Sequence, residues 1–130
     1  MTEPGNHLAR IVSAWSALYH RRSTDELAAL LDENVVWQGL LPELVCSSRE
    51  EVLRLIGQVA RRLPHITRME AEEFGDAVAV SVEGVDFPEN EVLAANMPRS
   101  LVFTFFGSSV VRMQSFTSRD DAFTAARNAR

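Results

Sequence analysis

One change of hydrophobic period divides this 130-residue chain. Up to Pro64 the apolar residues recur every three or four positions, and from His65 onward the period moves toward two. The first spacing lines up side chains along one face of a helix, and the second lines them up on one face of a strand. Helices gathered ahead of strands predict an α+β fold, with the helices laid on one face of a curved, mostly antiparallel sheet.

Leu8, Ile11, Val12, Trp15, Leu18 and Tyr19 make the first helical stripe, from about residue 6 to about residue 20. Its basic tail, His20-Arg21-Arg22, suits the negative end of a helix dipole. Ser23 and Glu26 have the spacing of a capping box, opening a second helix through Leu27, Leu30 and Leu31 that Asp32-Glu33-Asn34 should stop. Val35 to Gln38 has strand chemistry and ends at Gly39. Ser48 and Glu51 form a second box, before a third helix carrying Val52, Leu55, Ile56, Val59 and Leu63 and ended by Pro64.

Beyond the change of period, Ile66 to Phe74 reads as a half-polar strand and Gly75-Asp76 as a hairpin turn. Ala77 to Phe87 reads as a longer strand with Val78, Val80 and Val82 on one face, followed by a connection to Arg99 rich in Pro and Asn. Leu101 to Phe106 and Val110 to Phe116 flank Gly107-Ser108, which supports a tight turn. Ser118 caps a short last helix through Phe123 and Ala126.

Residues 1–130 have the length of a single domain. A net charge of -5 argues against nucleic acid and against an anionic membrane surface as partners. The opening MTEPGNH has no signal-peptide core, and no apolar run nears the roughly 20 residues of a membrane helix. A cytoplasmic location is the expectation. Cys46 stands alone, so no intrachain disulfide forms, and it reads as a small buried hydrophobe. His7, His20 and His65 are dispersed and no glycine-rich phosphate loop occurs, so neither a metal nor any other cofactor is expected.

Three segments, AWSALYHRRSTDELAALLDENVVW, SSREEVLRLI and LVFTFFGSSVVRMQSFTSRDDAFTAA, occur in an order that resembles the NTF2-like superfamily in its SnoaL-like branch. The resemblance spans most of the chain. It implies a cone: three N-terminal helices packed on a strongly curved, mostly antiparallel sheet, a short C-terminal helix, and an apolar cavity at the wide end. It also implies a homodimer pairing through the sheet. Some members are cyclases, isomerases or hydrolases, and others bind ligands or proteins without catalysis, so the fold leaves the function open.

Enzymes of this kind place a carboxylate or His in an apolar cavity, where desolvation tunes it. On the last strand Arg112 and Gln114 share a face with Val110 and Phe116, either toward a cavity, with Arg112 as an anion or carbonyl anchor, or toward a partner or solvent. Ser118 stands where cyclase-like members carry an acid, and its simplest role is a helix cap. The Asp, Arg, Asp pattern of the epoxide-hydrolase branch is absent from Ala77 to Phe87. Asp86 shares the parity of Val78, Val80 and Val82, yet it sits just before Pro88, where a turn acid is ordinary. Glu70 and Glu83 are weaker candidates. Tyr19 and Trp37 are expected in the core or on the cavity rim, with the Tyr19 hydroxyl able to donate to a ligand carbonyl.

The connection Leu40-Leu41-Pro42-Glu43-Leu44-Val45-Cys46 is nearly all apolar, where connections are usually polar. Leu40, Leu41, Leu44 and Val45 are therefore expected to be buried, as a lid on the cavity or against a partner subunit. The sequence points first to a small hydrophobic ligand in the cavity, held by residues drawn from Tyr19, Trp37, Leu41, Leu44, Asp86, Arg112 and Gln114. Its alternatives are an enzyme acting on a polycyclic or terpenoid substrate and a protein-interaction module.

Overall fold

The computed structural model describes residues 6–59, 66–84 and 99–128. Helices α1 (Asn6–Arg21) and α2 (Asp25–Leu30) lead into β1 (Leu31–Gln38) and the two-residue β2 (Val45–Cys46). Then come α3 (Arg49–Val59), β3 (Ile66–Phe74), β4 (Ala77–Gly84), β5 (Ser100–Phe106), β6 (Ser109–Phe116) and α4 (Arg119–Asn128). The strands form one sheet in the order β2-β1-β6-β5-β4-β3, antiparallel except where β1 runs parallel to β6. The sheet curls without closing.

Alternation along the strands divides the molecule into two cores. Val35, Trp37, Val78, Val80, Leu101, Phe103 and Met113 face inward with Trp15, Leu18 and Tyr19 of α1 and with Val52 and Ile56 of α3. Burying each such side chain contributes about 1.5–3 kcal/mol, so this inner core dominates stability. Phe74, Ala77, Ala79 and Val102 face outward, under Ala122, Phe123 and Ala126 of α4. Small residues on β4 let that helix lie close to the sheet. Gly75 and Gly107 take the positive φ that their tight hairpin turns require.

Several local expectations change. The Ser23–Glu26 box does not form: Thr24 is the N-cap of α2 and makes no side-chain cap bond. Glu26 turns instead toward α1, accepting from the Ser13 hydroxyl at 2.7 Å, because the packed neighbour lies closer than the backbone behind it. Asp32-Glu33-Asn34 is not the stop of α2, which ends at Leu30; β1 already begins at Leu31, paired with Val110. Pairing is irregular between Leu31 and Val36, and there the Asp32 carboxylate accepts the Asn34 N–H at 2.9 Å. The other two caps hold: Ser48 Oγ accepts from Glu51 N–H at 3.2 Å, and Ser118 Oγ from Asp121 N–H at 3.1 Å. Leu63 and the connection through Pro88, Asn96 and Pro98 lie outside the described residues.

The largest correction concerns β6. Thr104 pairs with Arg112 but Phe105 pairs with Val110, so Val111 is an extra residue in the strand. Such a bulge resets the alternation. Val110 consequently turns inward with Met113 and Ser115, while Arg112, Gln114 and Phe116 are left on the outer face.

Candidate functional site

At the end of β1 the chain turns back on itself and builds a small pocket. Gly39 N–H donates to Leu44 O at 2.6 Å, and Leu44 N–H donates to Leu41 O at 3.0 Å. The closeness needs glycine: a Cβ on Gly39 would lie 2.7 Å from the Leu44 Cβ. Beneath this turn lies a cavity of about 170 Å³ lined by Trp37, Gly39, Glu43, Leu44, Val45, Cys46 and Leu55. Its lining is mainly apolar. Burial, and secondarily the nearby Glu51 carboxylate, pushes the Cys46 thiol above its ordinary pKa, so it is no ready nucleophile at neutral pH.

Trp37 forms the inner wall and is 4% exposed. Its indole Nε1–H donates to Ser115 Oγ on β6 at 2.9 Å, and both groups are buried. That bond fixes the ring across the sheet. Tyr19, one turn beyond Trp15 on α1, packs edge-on against the Trp15 ring and is 3% exposed. Its hydroxyl has no hydrogen-bond partner among the described residues. Burial raises its pKa well above the ordinary value, partly offset by Arg22, so the phenol stays protonated and can donate but cannot act as a base.

The sequence-derived candidates separate. Trp37 and Leu44 line the pocket, and Tyr19 belongs to the same inner core without lining that pocket. Leu41 is 45% exposed and Val45 43%, so neither is buried as expected; Leu40 and Leu44 are half-buried. At the tip of the turn Leu41 O accepts from the Gln38 amide and the Leu44 N–H, and the Leu41 side chain is left exposed. Arg112 is exposed on the outer face. Gln114 lines a separate outer groove of about 790 Å³, with Gln38, Leu40, Pro42, Phe116, Asp121 and Thr124 among its walls. Asp86 lies outside the described residues. Glu70 is tied to Arg119 at 2.6 Å and to Arg68 at 3.0 Å, and the Arg119 bond holds its carboxyl below the usual range. Glu83 is exposed. Neither glutamate lines the pocket.

Three residues were not among the site candidates read from the sequence. Ser115 and Gln38 gave no signal, being ordinary polar residues in strands. His7 did give one, since it stands four positions before Ile11 on the buried side of α1. Its ring stacks on Phe105 with centroids 4.0 Å apart, its Nε2 lies 3.5 Å from Asp76, and its Nδ1 has no partner among the described residues. Among the described residues, no three His, Cys, Asp or Glu side chains gather where they could hold a metal ion.

No family model and no curated protein matches the sequence. Solved structures do match. An NTF2-like protein of unknown function from Cytophaga hutchinsonii superposes with a TM-score of 0.63 at 12% identity, over 95% of this chain and 99% of that one. The fold is NTF2-like. A second NTF2-like protein, from Anabaena variabilis, gives a TM-score of 0.62 at 12% identity, over 89% and 92% of the two chains. A protein from Rhodopseudomonas palustris, provisionally named an isomerase, gives 0.56 at 23% identity, over 88% and 89%. At these identities the likeness fixes the NTF2-like architecture and leaves activity to be argued from the site. No described helix is long and apolar enough to cross a membrane.

Proposed function

We propose that this NTF2-like domain, of the SnoaL-like kind, binds a small, largely apolar molecule. The observation that carries the proposal is the pocket between Trp37, Leu44 and Leu55, apolar and walled by side chains from β1, its following turn and α3. Pockets of this make-up, with few polar groups, are the usual seats of small ligands. Tyr19, whose hydroxyl has no partner among the described residues, stands outside this lining, so the pocket's own apolar walls set the ligand's chemistry. The domain works in the cytoplasm, where Cys46 stays reduced, and as a homodimer.

A melting-temperature screen against apolar compounds tests the binding. A ligand at about a hundred times its Kd stabilises the native state by about 2.7 kcal/mol, a shift of several degrees in a chain of this size. Leu44→Ser should abolish the shift. A flat response across the library overturns the proposal.

The enzyme reading, a cyclase, isomerase or hydrolase acting on a polycyclic or terpenoid substrate, has less support. Structural neighbours provisionally named as an isomerase and polyketide cyclases favour it, but of its carboxylate candidates Glu70 and Glu83 stand apart from the pocket. It rests on Asp86, and Asp86→Asn should remove any turnover found.

A further inference from the structure

The turn after β1 divides two hollows. Glu43 and Leu44 line the inner pocket, Leu40 and Pro42 line the outer groove, and Gly39 borders both. One side chain gathers its tip: Gln38 Nε2 donates to Leu41 O at 3.0 Å, and lies 3.3 Å from Gly39 O and 3.5 Å from Pro42 O. Leu41 O also accepts the Leu44 N–H, so the amide and the bond that sets Leu44 share one acceptor. Leu44 in turn is a wall of the inner pocket. We infer that residues 39–44 are a lid on that pocket and that the Gln38 amide is its latch, a positioning residue acting through Leu41 and Leu44.

Size gives the lid a purpose. An apolar cavity of roughly 150 Å³ takes a single benzene-sized ring. The pocket as it stands, at about 170 Å³, is of that order. Ligand sites for larger molecules run from about 300 to 1,000 Å³. A ligand of more than one ring therefore requires the lid to swing outward, toward the outer groove. The tip of the turn faces solvent on that side, where Leu41 is exposed. Gln38 then sets the access rate, and its release admits larger ligands. This purpose rests on the inner pocket being a ligand site; the motion itself does not.

Two ligand-free measurements test the lid: hydrogen exchange at the Leu44 amide, and alkylation by iodoacetamide of Cys46, the sole cysteine and a lining residue of the pocket. Gln38→Leu removes the donors at similar size. It should speed both rates by about 3- to 10-fold, the range expected for losing one hydrogen bond, with the Met113 amide of β6 and the melting temperature unchanged. Gly39→Ala should act in the same direction without touching the amide, by pushing its Cβ against Leu44. Unchanged rates in both variants overturn the latch. So does a uniform acceleration that includes Met113, which would mark Gln38 as a support of the whole fold. A failed ligand screen overturns the ligand reading and leaves these rates as they are.

Discussion

Two buried polar groups in the inner core are in opposite states. Trp37 Nε1–H has its partner in Ser115, and Tyr19 Oη has none among the described residues. Ser115→Ala should leave the indole N–H buried and unpaired, lowering stability by about 1–3 kcal/mol in denaturant unfolding. Tyr19→Phe should do the reverse. It removes an unsatisfied hydroxyl, so the ligand-free protein should gain about 1 kcal/mol. A Tyr19→Phe protein less stable than the parent would show that the hydroxyl already has a partner.

Among the elements, α4 is fastened electrostatically as well as by packing. Phe123 lies under the Arg119 guanidinium, 4.3 Å from its ring centre, and Arg119 bridges to Glu70 on β3. The bond holds the Glu70 carboxyl below its ordinary value of 4.5, so its contribution is present above that value and is lost as pH falls through the lower native pKa. Arg119→Gln should therefore reduce the melting temperature at pH 6. The gap between variant and parent should narrow as pH falls from the ordinary carboxylate value through the lower native pKa of Glu70, as the parent's Glu70 becomes protonated too. A gap independent of pH would assign the effect to the lost stacking on Phe123.

At this scale the sequence was most legible where packing follows period. The strand Ile66–Phe74, the inward row of Val78, Val80 and Val82, and the caps at Ser48 and Ser118 needed only alternation or a three-residue spacing. It was least legible where one residue decides a face. The extra Val111 sends Arg112 and Gln114 to the outside of the sheet, and no feature of VVRMQSF announces a bulge. The apolar turn misled for a related reason. Its residues were apolar, yet the turn closes through its own backbone and the Gln38 amide and leaves the Leu41 side chain exposed. Trp37 and Tyr19 were legible as aromatic residues of the core, but the hydrogen bond that one has and the other lacks depends on β6, far away in sequence.

For the whole molecule, the two faces of the sheet have different occupants. The inner face holds α1 and α3. The outer face is covered by α4 around Phe74, Ala79 and Val102, while the region around β1 and β6 carries the exposed Val36 beside Arg112. If the homodimer pairs through the sheet, this part, which no described helix covers, is where it must do so. Val36→Asp combined with Arg112→Asp should then yield monomers in sedimentation, with Leu41→Ser leaving the dimer intact. Dissociation by Leu41→Ser instead would move the interface to the apolar turn.

The central claim is that the space beneath residues 39–44 is a ligand site. A crystal structure of the protein with the best compound from the melting screen tests it most directly. The account predicts ligand density bounded by Trp37, Leu44 and Leu55, with the turn displaced outward for any compound larger than one ring. A filled outer groove beside Gln114 and Asp121, with the inner pocket closed and empty, would contradict it.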